Sequence, residues 1–155
     1  MNLAILMLAT LLAQRQPPGL SLADNLLAAH NAARGRVGLE PLAWSGDLAV
    51  FAQQWADYLA ANGKFFHRRK PPYGENLYKI TGGGASPAQV VNDWASEARD
   101  YQYSTNTCRK VCGHYTQIVW RDTKRVGCAI ARNDGAEVWV CNYDPPGNWI
   151  GKRPY

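Results

Sequence analysis

The stretch CGHYTQIVW, Cys112 to Trp120, sets a histidine beside a glycine and then runs into tyrosine, isoleucine, valine and tryptophan. Apolar runs of this kind are buried, and an imidazole at their edge needs a polar partner. The β-branched and aromatic content of Ile118–Trp120 predicts a short strand. Three other polar residues also sit where burial or close packing is expected. Glu97 falls on a helical stripe with Val90, Trp94 and Tyr101, at steps of four, three and four residues. Glu75 lies in YGENLY, residues 73–78, after a Pro-Pro-Tyr-Gly turn, and His67 follows Phe65-Phe66 and precedes three cations. Two carboxylates and two imidazoles that avoid bare burial satisfy one another in a single cleft, where His114 looks toward Glu75 and Glu97. The quartet also has the composition of a divalent site: neutral imidazoles suit Zn²⁺, and the carboxylates ligate or orient the histidines. A structural His–Glu network uses the same four residues and is the reading adopted, with a bound cation as the alternative.

Cap residues place the helices. Ser21 opens the first, with Asp24 in its acidic first turn and Leu22, Leu26, His30, Ala33 and Val37 on one face. His30 reads as a core histidine satisfied by hydrogen bonds, not as a ligand. A second helix runs from Ser45 to Gly63 with Leu48, Phe51, Ala52, Trp55 and Leu59 as its stripe. Ser86 followed by Pro87 starts the third. Further strands are predicted at Asn76–Ile80, Val126–Arg132 and Ala136–Tyr143. If Asp134–Gly135 is a two-residue turn, Cys128 lies directly opposite Cys141, which leaves Cys108 to pair with Cys112. A zinc site is the rival use of four cysteines, but their spacing matches no usual ligand pattern. Helices first and a hairpin last indicate an α+β fold.

The chain has 155 residues, the length of one domain, and buries roughly 70% of its unfolded surface at that size. NLAILMLATLLA, Asn2 to Ala13, is uncharged and apolar. It is short of the roughly 20 residues that span a bilayer, so residues 1–13 read as a signal peptide. An even cysteine count agrees with an oxidising, extracellular destination. The formal charge of +5 is scattered except at His67-Arg68-Arg69-Lys70. That distribution favours anionic cell-wall or membrane surfaces, and nucleic acid is not expected as a partner. No serine or cysteine nucleophile is paired with a base and no His-Glu-x-x-His occurs, so no catalytic residue is assigned. A metal-dependent hydrolase, with a glutamate of the cleft as general base, is the alternative.

Taken together, GHYTQIVW, CNYDPPGNWIG, YGEN, AHNAAR and WASEARDY resemble the CAP superfamily (SCP domain), most closely its plant pathogenesis-related-1 branch, over about residues 20–155. The resemblance implies a three-layer α-β-α sandwich with a central, mainly antiparallel sheet. It implies a cleft tetrad of His67, Glu75, Glu97 and His114, with no cofactor required. At His67 the chain departs from the family's usual His-Ser: the Arg68-Arg69-Lys70 cations that follow narrow the cleft mouth or discourage a bound cation. The family's third disulfide, joining the end of the second helix near Gly63–Phe65 to the hairpin turn near Asn133, has neither cysteine here. The implied function is that of a secreted, monomeric defence protein, non-enzymatic, that binds sterol or other lipid. The Gly-rich Thr81–Ser86 loop is a candidate for the lipid site because it can move. The tail PPGNWIGKRPY, Pro145 to Tyr155, resembles a signalling peptide released by a cut between Asp144 and Pro145; the competing expectation is that it packs onto the domain.

Overall fold

A computed structural model describes residues 19–155; the signal-peptide reading of residues 1–13 lies outside them. The fold is organised by the hairpin of β5 (Arg125–Asn133) and β6 (Ala136–Asp144). Both turn residues have positive φ, Asp134 at 47° and Gly135 at 72°, as a tight primed turn requires. The resulting register sets Cys128 opposite Cys141, and the Cys128–Cys141 and Cys108–Cys112 disulfides are both formed. β2 (Gly74–Thr81) pairs antiparallel with β6. β1 (Ala43–Trp44) pairs parallel with β5, so the sheet order is β1-β5-β6-β2.

Strand alternation sends side chains to two cores. Val126, Cys128, Trp139, Cys141 and Tyr143 pack with Leu26, Ala33, Val90, Trp94 and Ile118, from α1 (Leu22–Gly35), α3 (Pro87–Ser96) and α4 (Gly113–Ile118). Ala129, Ala131, Val138 and Val140 face Ala52, Ala56 and Leu59 of α2 (Gly46–Ala61). This is the α-β-α sandwich, and its central strands are covered on both faces. Ser21, Ser45 and Ser86 cap α1, α2 and α3 as their sequence positions predict. α2 seats closely on the sheet because Gly127 of β5 has no Cβ; one there would collide with the backbone of Ser45, Leu48 and Ala49. Where the third family disulfide would tie the end of α2 to the hairpin turn, the Asn133 side chain donates to the Ala60 carbonyl at 3.1 Å.

Two local expectations are corrected. The residues after His114 form the helix α4, and Ile118–Trp120 is its last residue and exit rather than a strand. Glu97 caps the start of this helix, and the Thr116 hydroxyl bonds back to the Cys112 carbonyl at 3.0 Å. A short apolar run does not distinguish helix from strand by itself. α3 stops at Ser96; Glu97–Asp100 is a 3-10 turn and Tyr101–Gln102 is β3, paired with β4 (Thr107–Cys108).

Candidate functional site: two His–Glu pairs and a tail-lined groove

The four cleft residues assemble as two pairs. Glu97, at the end of α3, points its carboxylate at the start of α4. Its Oε1 meets Nδ1 of His114 at 2.7 Å, and its Oε2 accepts the His114 and Tyr115 backbone N–H groups at 2.9 and 3.1 Å. Both oxygens are therefore spent. Burial opposes ionisation of Glu97, but the His114 side chain, the Tyr115 N–H, the His114 charge and the His114 N–H together hold its pKa below the usual carboxylate value. His114 stacks against Trp94, with ring centroids 6.0 Å apart.

Glu75, at the head of β2, pairs with His67 rather than His114. Its Oε1 lies 2.8 Å from His67 Nδ1 and accepts the Arg68 N–H at 3.0 Å. The Glu75 side chain is 3% exposed and the His67 side chain 62%. Glu75 Oε2 is buried without a hydrogen-bond partner. The link between the pairs is a residue that periodicity did not single out: Asn76, next to Glu75, whose Nδ2 donates to the His114 carbonyl at 3.1 Å and to the Tyr143 hydroxyl at 3.0 Å. From Tyr143 the chain of bonds continues to His30 Nε2 at 2.9 Å, and His30 Nδ1 reaches the Leu26 carbonyl at 2.8 Å. A carbonyl only accepts, so Nδ1 carries the proton and Nε2 accepts from Tyr143. His30 is thus the satisfied core histidine expected of it.

Part of the donor set suits a divalent cation. Each tetrad histidine commits Nδ1 to a carboxylate, the arrangement that orients a metal ligand through Nε2, and Glu75 has a spare buried oxygen. Yet no three of the four residues bring ligand atoms within 4.8 Å of one another. Among the described residues such a triple occurs at His30, Cys128 and Cys141, where the sulfurs are already joined and both imidazole nitrogens are engaged.

Arg34, the last residue of the AHNAAR motif, is a functional residue that helix periodicity does not single out. Only 1% exposed, it donates to the carbonyls of Glu40, Ile118, Trp120 and Thr123, and so fixes the exit of α4. Its signal was slight: a cation on the buried side of α1.

Sequence comparison agrees with this architecture. Residues 27–143 match the CAP family, described as the cysteine-rich secretory protein family. The chain belongs to the CAP family. It is similar to pathogenesis-related protein 1 of Arabidopsis thaliana, 48% identical over 128 residues that cover 82% of this chain and 78% of the relative. Among solved structures it is similar to the Schistosoma mansoni venom allergen-like protein 4, with a TM-score of 0.71 and 26% identity over 88% of this chain and 95% of that one. The fold is also shared with NaASP2, solved with Zn2+, with a TM-score of 0.69 and 22% identity over 90% of this chain and 88% of that one.

In this CAP domain the C-terminal tail is bound, not loose. Gly147 N donates to Gln117 Oε1 at 2.9 Å, Asn148 Nδ2 to the Gly113 carbonyl at 2.8 Å, and Arg121 N to the Pro154 carbonyl at 2.6 Å. Tyr155 stacks on Tyr103 at 4.6 Å. Between the tail and the Cys108–Cys112 loop lies a groove of about 320 Å³, whose lining includes Tyr101, Cys108, Cys112, Trp120, Trp149 and Pro154.

Proposed function

We propose that this CAP domain is a secreted, pathogenesis-related-1-type defence protein that carries a sterol or other lipid and performs no catalysis. The observation that carries the ligand reading is the tail-lined groove. Its volume is at the lower end of the ~300–1,000 Å³ typical of small-ligand sites. Trp149, which lines it, and Ile150, next to Trp149 in the chain, both stand exposed, Ile150 completely, and adjacent apolar exposure of this kind marks a binding surface. The Gly-rich loop fits a lipid less well. Its groove, of about 670 Å³, sets Arg132, Asn133, Asp134 and Glu137 among glycines and Ala136 with no large apolar side chain, and the loop is tied by Gly82 N to the Gly135 carbonyl and Ala85 N to Glu137. Secretion is supported by the apolar run at residues 2–13, the two disulfides and the family's secretory description.

The tetrad supports a structural role first. Glu97, ionised and fully hydrogen-bonded, is a weak general base. Glu75 is the residue that favours a second reading, metal-assisted hydrolysis, because its Oε2 is free. A cation there would polarise a substrate or water oxygen, but no three of the tetrad residues bring ligand atoms within 4.8 Å of one another, so the residues as placed do not fit one. The tail contacts support packing over release of residues 145–155. A protease cutting between Asp144 and Pro145 has to open the end of β6, where the Asp144 carbonyl accepts from Lys124 N and its carboxylate pairs with Arg125.

Titration of a fluorescent sterol tests the reading. W149S/I150S should abolish saturable binding, while H67A/H114A should retain it. Equal loss in both variants, or no binding by the parent, would overturn it.

A further inference from the structure

The segment KFFHRRK, Lys64 to Lys70, lies outside the groove and its ligand. It holds four Lys or Arg residues and no carboxylate. Phe65 is 47% exposed and Phe66 42%, beside Tyr58 of α2 at 41%. Phe66 sits on a built platform. Trp55 stacks on Tyr58 at 4.9 Å, Phe66 meets Trp55 edge-on at 5.4 Å, and Trp55 Nε1 donates to the Phe66 carbonyl at 3.2 Å. Arg68 locks the other end: its guanidinium lies 3.8 Å from the Phe51 ring centroid and Nη2 donates to the Phe51 carbonyl at 2.9 Å. Lys64 Nζ lies 5.9 Å from the Tyr58 ring centroid, and Arg69 and Lys70, next along the chain from Arg68, are exposed. Among the described residues, none of Lys64, Arg69 and Lys70 forms an ion pair with a carboxylate.

We propose that this platform docks the protein onto an anionic phospholipid bilayer, with Phe65 and Phe66 entering the interface and Lys64, Arg69 and Lys70 contacting headgroups. Apolar rings flanked in the chain by cations complement that surface in both polarity and charge. An acidic polysaccharide would meet the cations equally well, but phenyl rings offer it no hydrogen-bonding group. The inference is independent of the sterol reading and of any cation in the cleft.

Co-sedimentation of the full chain with sterol-free phosphatidylcholine vesicles, with and without roughly one-third phosphatidylserine, tests it. The apolar run at residues 2–13 is common to every variant, so only differences between variants are read. F65S/F66S should lower partitioning onto the anionic vesicles at least tenfold, and F65S alone about threefold, from the lost apolar burial. R69S/K70S should lower it about 25-fold, at about fivefold per cation, and high salt should mimic that loss. L22S, which alters an exposed leucine of α1 outside both the platform and the groove, should stay within about twofold of the parent. The single F65S variant keeps the Phe66–Trp55 contact, so it reads the effect even if the double variant misfolds. Parent protein that ignores the anionic vesicles overturns the proposal. So does F65S partitioning like the parent, or binding to polygalacturonate without binding to vesicles.

Discussion

Between pH 7.5 and 5 the core should lose stability through one residue, His30. It is fully buried, and burial, together with the Arg34 charge and against the Leu26 hydrogen bond, lowers its pKa from 6.5 to about 4. An unfolded imidazole takes up its proton near 6.5, so between that value and about 4 the unfolded chain binds more protons than the native one. Stability therefore rises with pH across this window and falls as the solution is acidified. The shift is worth about 3 kcal/mol below both values, and about 2 kcal/mol of it is spent on going from about pH 7.5 to about pH 5. The geometry explains why the proton is refused. Nε2 already accepts from Tyr143, so protonation forces that hydroxyl to turn away in a site with no water-exposed alternative. Denaturant unfolding at the two pH values should show this loss in the parent and not in H30Q, which separates His30 from His67 and His114. Since H30Q also perturbs the core, proton NMR of the parent gives an independent reading: the His30 ring signals should not titrate from about pH 8 to about pH 5. A titration centred near 6.5, or equal losses in parent and H30Q, would refute the reasoning.

Three further substitutions follow from the site and from the seating of α2. E97A removes three hydrogen bonds from the start of α4 and should cost about 2–4 kcal/mol in urea unfolding, with E97Q costing roughly half, given about 1–3 kcal/mol for each unsatisfied partner and partial access to water. Because the Glu97 pKa is depressed, its contribution is present above the ordinary glutamate value and is lost as pH falls through the lowered one. G127A places a methyl group against α2 backbone and should cost about 3 kcal/mol, the upper end for overpacking, measured as a lowered denaturation midpoint.

Much of this was legible because local chemistry and global fold agreed. The Asp134–Gly135 turn defined the register that joins Cys128 to Cys141, and serine caps set three helix starts. All four polar residues singled out by pattern are engaged in His–Glu pairs. What escaped was strand propensity overridden by tertiary contacts. The strand-like IVW run ends a helix because a carboxylate from 17 residues earlier caps it. Pairing within the tetrad was also hidden, since periodicity ranks residues for burial but does not say which chain segments meet. Arg34 and Asn76 work through distant carbonyls and hydroxyls, a relation that no local window contains.

The central claim concerns where an apolar ligand sits. Amide shift mapping of the labelled protein titrated with a soluble sterol tests it most directly. The account predicts perturbations clustered at residues 101–113 and 149–154, with the Thr81–Ser86 loop unchanged. Shifts confined to that loop or to the His67–Glu75 pair, or no shifts at all, would contradict it.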